Sequence, residues 1–195
     1  MDWYVVSDPL PVSRNAVARV FGRLVLRALG WRIEGTLPPV PKLLAIGAPH
    51  TSNWDFVIGM AVKWSLCIRA SWMAKHTLFR PPLGWVFKSM GGIPINRSTS
   101  LGVVGECIRA FDEHEKLVVG VTPEGTRKQV NEWKTGFWHI AKGAGVPIVL
   151  VYWDYEEKVF GMGPSITPSE DKDEDLTRIK DFYSQFHGRH VQIAS

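Results

Sequence analysis

The sequence predicts a single-domain α/β fold: a mainly parallel central sheet flanked by helices, with an N-terminal amphipathic helix. Three observations carry that expectation. Short apolar runs that read as buried strands alternate with segments of helical periodicity. The chain is 195 residues long, enough for one domain with a large core. The most polar, turn-forming blocks follow strand-like runs, where doubly wound sheets gather their ligands.

Asp8-Pro9-Leu10-Pro11 reads as a Pro-stiffened arm. Residues 15–32 then carry Val17, Val20, Phe21, Leu24, Val25 and Ala28 at helical spacing, beside a basic stripe of Arg19, Arg23 and Arg27. A basic amphipathic helix of this kind suits either a membrane interface or the outside of a core. Residues 1–40 are therefore set apart as an arm and helix offered for membrane contact, and 41–195 as the main domain. Within the latter, 42–48 and 71–75 read as strands around a helix over 56–68, and a short helix precedes Gly91. Residues 93–96 look extended, 101–114 helical, 117–121 a buried strand, 135–144 helical and 147–153 a further buried strand. The acidic run over 170–175 opens a last helix, reaching about residue 186, as a solvated first turn, where carboxylates suit the helix dipole.

Composition narrows the function. A formal charge of +4 favours anionic partners mildly, and the basic residues form no aromatic-interleaved platform, so nucleic-acid binding is not expected. Nine Trp and nine Phe suit a core, an acyl pocket or a lipid-facing surface. The two cysteines, Cys67 and Cys107, stand far apart in apolar surroundings, which suggests neither a disulfide framework nor a thiolate metal site. No apolar run approaches a membrane span, and the start lacks the pattern of a signal peptide. A cytoplasmic protein is expected, peripheral on the cytoplasmic face of the membrane.

The chemistry concentrates in Pro49-His50-Thr51-Ser52-Asn53-Trp54-Asp55. Five positions on a regular helix would put His50 and Asp55 roughly 140° apart, so the two meet only through a bend. Thr51, Ser52 and Asn53 are capping residue types, which suggests a loop carrying His50, a cap at Ser52 or Asn53, and Asp55 in the first turn. A carboxylate on Nδ1 would fix the imidazole tautomer and free Nε2 to take a proton from a hydroxyl. No G-x-S-x-G elbow accompanies Ser52, and His50, Asp55, His76 and His139 lack the tight spacing of a metal motif. Further along, Thr122-Pro123-Glu124-Gly125-Thr126-Arg127 sets an acid, a glycine and an arginine fork after a buried strand. Glu124 suits either an acceptor hydroxyl or the backbone amides of a neighbouring loop. Gly91 and Gly92 precede Arg97 and permit close ligand approach.

In this order the blocks His50 to Asp55, Gly92 to Arg97, Pro123 to Arg127 and Val146 to Ile148 resemble the PlsC-like glycerolipid acyltransferase family. Lys75, in Met73-Ala74-Lys75-His76, and Lys134-Thr135-Gly136-Phe137 resemble lesser signatures of it. The resemblance implies an O-acyltransferase of phospholipid biosynthesis or remodelling that moves a fatty acyl group from acyl-CoA or acyl carrier protein to a lysophospholipid or glycerol-phosphate hydroxyl. By it His50 is the general base and Asp55 its partner. Arg97 and Arg127 bind phosphate, and Lys75, Glu124, Gly125 and Thr126 belong to the substrate site. No metal or cofactor is implied beyond the thioester co-substrate, and Gly91 and Gly92 are candidate oxyanion donors. The surroundings depart from the family's usual set at Pro94, Asn96, Thr122, Lys128 and Leu150. An acceptor other than a glycerophosphate, or a non-catalytic peripheral lipid-binding role, is the alternative.

Overall fold

The computed structural model describes residues 6, 8–95, 102–126, 132–186 and 188–189, apart from the side chains of Ala74, Lys75 and Ile95. Seven strands form one sheet in the order β1-β7-β6-β2-β5-β3-β4, with β1 at Arg32–Gly35, β2 at Lys42–Ala48, β3 at Ala70–Lys75, β4 at Gly92–Ile95, β5 at Leu117–Val121, β6 at Ile148–Asp154 and β7 at Val159–Ile166. Among these seven strands only β6 and β7 pair antiparallel; the other strand pairings are parallel. Among the described residues six α-helices accompany it: α1 Ala16–Leu29, α2 Asn53–Ser65, α3 Gly84–Ser89, α4 Gly102–Glu113, α5 Gly136–Ala144 and α6 Lys172–Tyr183.

Two apolar cores sandwich the sheet, because strand side chains alternate between faces. Leu44, Ile46, Ile148 and Leu150 face Phe111, Ile140 and Ile179 under α4, α5 and α6. Leu43, Val149 and Val151 face Leu26, Ile58 and Val62 under α1 and α2. The Tyr183 hydroxyl ties α6 to the sheet, sharing its proton between the carbonyls of Ile46 (2.6 Å) and Val151 (3.0 Å).

The predicted strands over 42–48 and 117–121 are observed with those bounds. Two strands were not foreseen. Helix α1 stops three residues early because Gly30 takes the left-handed conformation and caps it, so that Arg32 already belongs to β1. Strand β7 follows β6 through a tight turn at Asp154, whose Oδ1 accepts the N–H groups of Glu156 and Glu157. Helix α2 begins three residues before the predicted start, at the Ser52 cap. The expected solvated acidic turn at α6 holds only in part. Asp171 is its N-cap, but Asp175 is buried and accepts Trp138 Nε1–H at 2.9 Å and Ser169 N–H at 2.7 Å.

Helix α1 turns its contact face, Gly22 and Leu26, to α2, and its apolar stripe outward: Val17 is 79% exposed, Val20 53%, Phe21 53% and Leu24 56%. Gly22 sets that orientation. A Cβ there would stand 2.5 Å from Ala61 O and 2.8 Å from Ser65 N, so only glycine lets the two helices approach this closely. No helix among the described residues is long and apolar enough to cross a membrane.

Candidate active site

Strand β2 lies between β5 and β6, parallel to both, so the three chains leave the sheet side by side at its carboxyl edge. That edge carries His50 after β2, Glu124 after β5 and Tyr155 after β6. Ser52 and Asp55 close a capping box on α2: the Ser52 hydroxyl accepts Trp54 N–H at 3.2 Å and the Asp55 carboxylate accepts Ser52 N–H at 2.8 Å. The bend required by the five-residue spacing is therefore a helix cap, and Ser52 is spent on it.

Asp55 is fully buried. Its Oδ2 accepts the N–H groups of Thr51 and Ser52, both at 2.8 Å, and stands 3.0 Å from His50 Nδ1. Nδ1 is at ion-pair distance but not aligned as a hydrogen bond, a looseness common before substrate binds. Oδ1 accepts the hydroxyl of Tyr155. Burial pushes the Asp55 carboxyl up, but the close His50 imidazole and the hydrogen bonds from Tyr155 and Ser52 together outweigh it and hold the group below the usual carboxylate range. Asp55 is thus a stable carboxylate facing Nδ1, and the imidazole is left only partly exposed.

Glu124 is also buried, and its Oε1 accepts the main-chain N–H of His50 at 3.0 Å. Burial raises its pKa, partly countered by the N–H of His50. Its Oε2 has no hydrogen-bond partner among the described residues. Through that bond Glu124 ties the exit of β2 to the exit of β5. Gly125 turns the chain at φ +63°, and Lys134 lies across it, with Nζ 3.1 Å from where a Cβ would stand. The Pro123 carbonyl accepts Lys134 N–H at 2.9 Å, so the Lys134 to Phe137 block joins the Glu124 turn, with Thr126 next along it.

The remaining predicted site residues divide. Lys75 ends β3 opposite Ile95. Arg97 and Arg127, the predicted phosphate groups, lie outside the described residues. Gly91 and Gly92 do not reach the pair. They stand at the amino end of β4, Gly91 N–H is spent on the Lys88 carbonyl at 2.9 Å, and a Cβ at Gly92 would strike the Phe79 ring at 2.6 Å and Phe87 O at 2.7 Å. Gly92 thus admits Phe79 and the α3 backbone, while a Cβ at Gly91 would stand 2.7 Å from both Ala70 O and Lys63 Nζ.

Two aromatic residues at the site were missed. The Trp153 ring lies 6.0 Å from that of His50. Tyr155 hides in a turn whose sequence carries no motif. A Cβ at Gly47 would stand 2.5 Å from Trp153 Cη2, so Gly47→Ala is expected to push the indole toward His50 and to cost about 1–3 kcal/mol. Urea midpoints check this, and adding Trp153→Phe to Gly47→Ala should recover part of the loss.

A family model described as Acyltransferase matches residues 35–153, well over half of the chain. The protein belongs to the acyltransferase family. Among individual relatives, it is 30% identical over 152 residues to the 1-acyl-sn-glycerol-3-phosphate acyltransferase of Haemophilus influenzae, covering 72% of this chain and 61% of that one. It is 29% identical over 110 residues to the enzyme of the same name from Escherichia coli, covering 53% of this chain and 44% of that one. The chain thus spans less than two thirds of the length of either relative. The crystal structure of the 1-acyl-sn-glycerophosphate acyltransferase PlsC from Thermotoga maritima superimposes with a TM-score of 0.64 at 16% identity, over 87% of this chain and 76% of that one. It shows the same fold. Within this acyltransferase domain, His50, Asp55 and Glu124 all fall inside the matched stretch, whereas Tyr155 falls just beyond it.

Proposed function

We propose that this acyltransferase moves a fatty acyl group from acyl-CoA or acyl carrier protein to the free hydroxyl of a lysophosphatidate-like acceptor. The observation that carries the reading is the buried, charge-stabilised Asp55 held 3.0 Å from His50 Nδ1. With Nδ1 facing a carboxylate, Nε2 is the free base. It takes the acceptor's hydroxyl proton as the oxygen attacks the thioester carbonyl; the tetrahedral intermediate then collapses, the C–S bond breaks and the thiolate leaves, taking that proton back from His50 to depart as the thiol. The thioester is already activated, so the chain's residues need only bind, orient and move that proton. The names of the Haemophilus and Escherichia relatives support a 1-acyl-glycerol-3-phosphate acceptor, and the net charge of +4 suits an anionic one.

The test is release of CoA thiol from palmitoyl-CoA with and without lysophosphatidate, with the lipid product weighed by mass spectrometry. Acceptor-dependent turnover that falls at least ~10²-fold in His50→Ala is expected. Turnover intact in that variant, or no transfer to any lysolipid, would remove the reading.

A peripheral position on the cytoplasmic membrane face completes the proposal. The outward stripe of Val17, Val20, Phe21 and Leu24 supports it, since each such side chain is worth about 1.5–3 kcal/mol when buried in lipid. Replacing Val20, Phe21 and Leu24 together by Ser should weaken co-sedimentation with anionic vesicles at least ~10-fold while sparing turnover of soluble short-chain substrates.

A further inference from the structure

The two oxygens of Asp55 are held in different ways. Oδ2 is fixed by its own turn, through the N–H groups of Thr51 and Ser52, and it is the oxygen that faces His50. Oδ1 takes its one hydrogen bond among the described residues from Tyr155, which is a hundred residues further along and stands on the turn after β6. The tilt of the carboxylate about its Cβ–Cγ bond is therefore set at one end by local backbone and at the other by a single phenol. Without that phenol, a buried carboxylate oxygen would lose its partner, and the carboxylate, still pinned beside Nδ1 at Oδ2 by the two N–H groups, would lose its fixed tilt.

We propose that Tyr155 is a positioning residue for acyl transfer, whose hydroxyl holds the Asp55 carboxylate in register with His50. It acts through Asp55 and does not itself touch the substrate. Its ring is held in turn by Trp31, which meets it edge to face with centroids 4.9 Å apart. Trp31 follows the Gly30 cap of α1, so the end of the N-terminal helix buttresses the acid of the proposed catalytic pair. Burial, and then the adjacent Asp55 carboxylate, raise the Tyr155 pKa, which keeps the hydroxyl protonated as a donor at any working pH. The matched family segment ends at residue 153, so this role lies outside what the family match covers.

The charge consequence is specific. A donor on Oδ1 draws negative charge from the carboxylate, and so lowers the affinity of the His50–Asp55 pair for a proton. The other charged groups facing this cluster are Glu124, through the His50 N–H, and Arg189, whose charge acts on Tyr155. Neither is altered by a change at Tyr155. The effect is read as a difference in midpoint between wild type and variant.

The inference rests on the acyl-transfer reading, and two readouts separate their fates. The first is the acid limb of kcat/KM for acyl transfer; the second is the midpoint of the His50 ring signals in proton–nitrogen NMR across pH, which needs no activity. Tyr155→Phe should move both midpoints up by about 1 pH unit and lower plateau kcat about 10-fold with KM for acyl-CoA unchanged. Incorporating 3-fluorotyrosine at position 155, a stronger donor of the same shape, should move both midpoints down. A purely structural tyrosine would not give opposite shifts from the two replacements. Midpoints within about 0.2 units of wild type in the fluorinated protein and in a folded Tyr155→Phe would overturn the role. Should the Phe variant fail to fold, the fluorinated protein decides alone. Should the wild type transfer no acyl group, the proposed function falls and the NMR midpoints still decide the role of Tyr155.

Discussion

Asp55→Asn is expected to lower kcat for acyl transfer about 10³- to 10⁴-fold while leaving the protein folded. The amide has nearly the shape of the carboxylate, so one oxygen can still accept the N–H groups of Thr51 and Ser52 that close the α2 cap at 2.8 Å. What it cannot do is stabilise the imidazolium that forms as His50 takes the acceptor's proton. If the amide turns its nitrogen toward Nδ1 instead, it selects the tautomer with the proton on Nε2, the wrong atom for a base. The same substitution should change acid stability. Asp55 has a folded pKa below its unfolded value, because the close His50 imidazole and its hydrogen bonds outweigh burial. Its contribution is present above the unfolded value and lost as pH falls through the folded one. The wild type should therefore lose stability on acidification more steeply than Asp55→Asn, as read by thermal melts between about pH 6 and pH 3. Retained turnover in a folded Asp55→Asn would remove the carboxylate from the mechanism.

Glu124→Ala should lower kcat by about 10²-fold, and Glu124→Gln by less than 10-fold, with KM for the acceptor little changed in either. The reason is the tether: Glu124 Oε1 accepts the His50 main-chain N–H at 3.0 Å, and an amide oxygen can do the same where a methyl group cannot. Loss of the tether lets the β2 exit drift, and drift of about 1 Å in a base is costly. Burial raises the Glu124 pKa, so its charged form opposes folding once pH rises above the unfolded value. Glu124→Gln should then melt no earlier than the wild type at pH 8. A raised KM for the acceptor with unchanged kcat would show that Glu124 binds acceptor and is not a brace.

How much of this was legible in the chain follows from which signals are local. The short apolar runs along Leu43 to Ala48 and Leu117 to Val121 are what a strand covered on both faces must show, and both strands stand at the predicted bounds. The Ser52 to Asp55 cap is equally local: residue types and spacing specify it without any partner. Strand β1 escaped because its four residues are half-exposed at an edge and form no such apolar run. Gly92 misled because a glycine reads alike whether it admits a ligand or a Phe ring, and here it admits Phe79.

The α1 stripe shows the same limit from the other side. Its periodicity gave the helix but not the direction of its faces. Gly22, which has no hydrophobicity to register, decided that Leu26 faces α2 and that Val20 and Leu24 face outward.

By itself, then, the sequence determined an α/β domain of the acyltransferase type and a histidine bent back onto its own carboxylate, because periodicity, capping and motif order are properties of neighbouring residues. Only the tertiary structure decided that β2 runs between β5 and β6. That order brings Glu124 under the His50 backbone and Tyr155 onto the far oxygen of Asp55. Strand order is fixed by which buried faces pack together across the whole chain, and no stretch of residues carries that information alone.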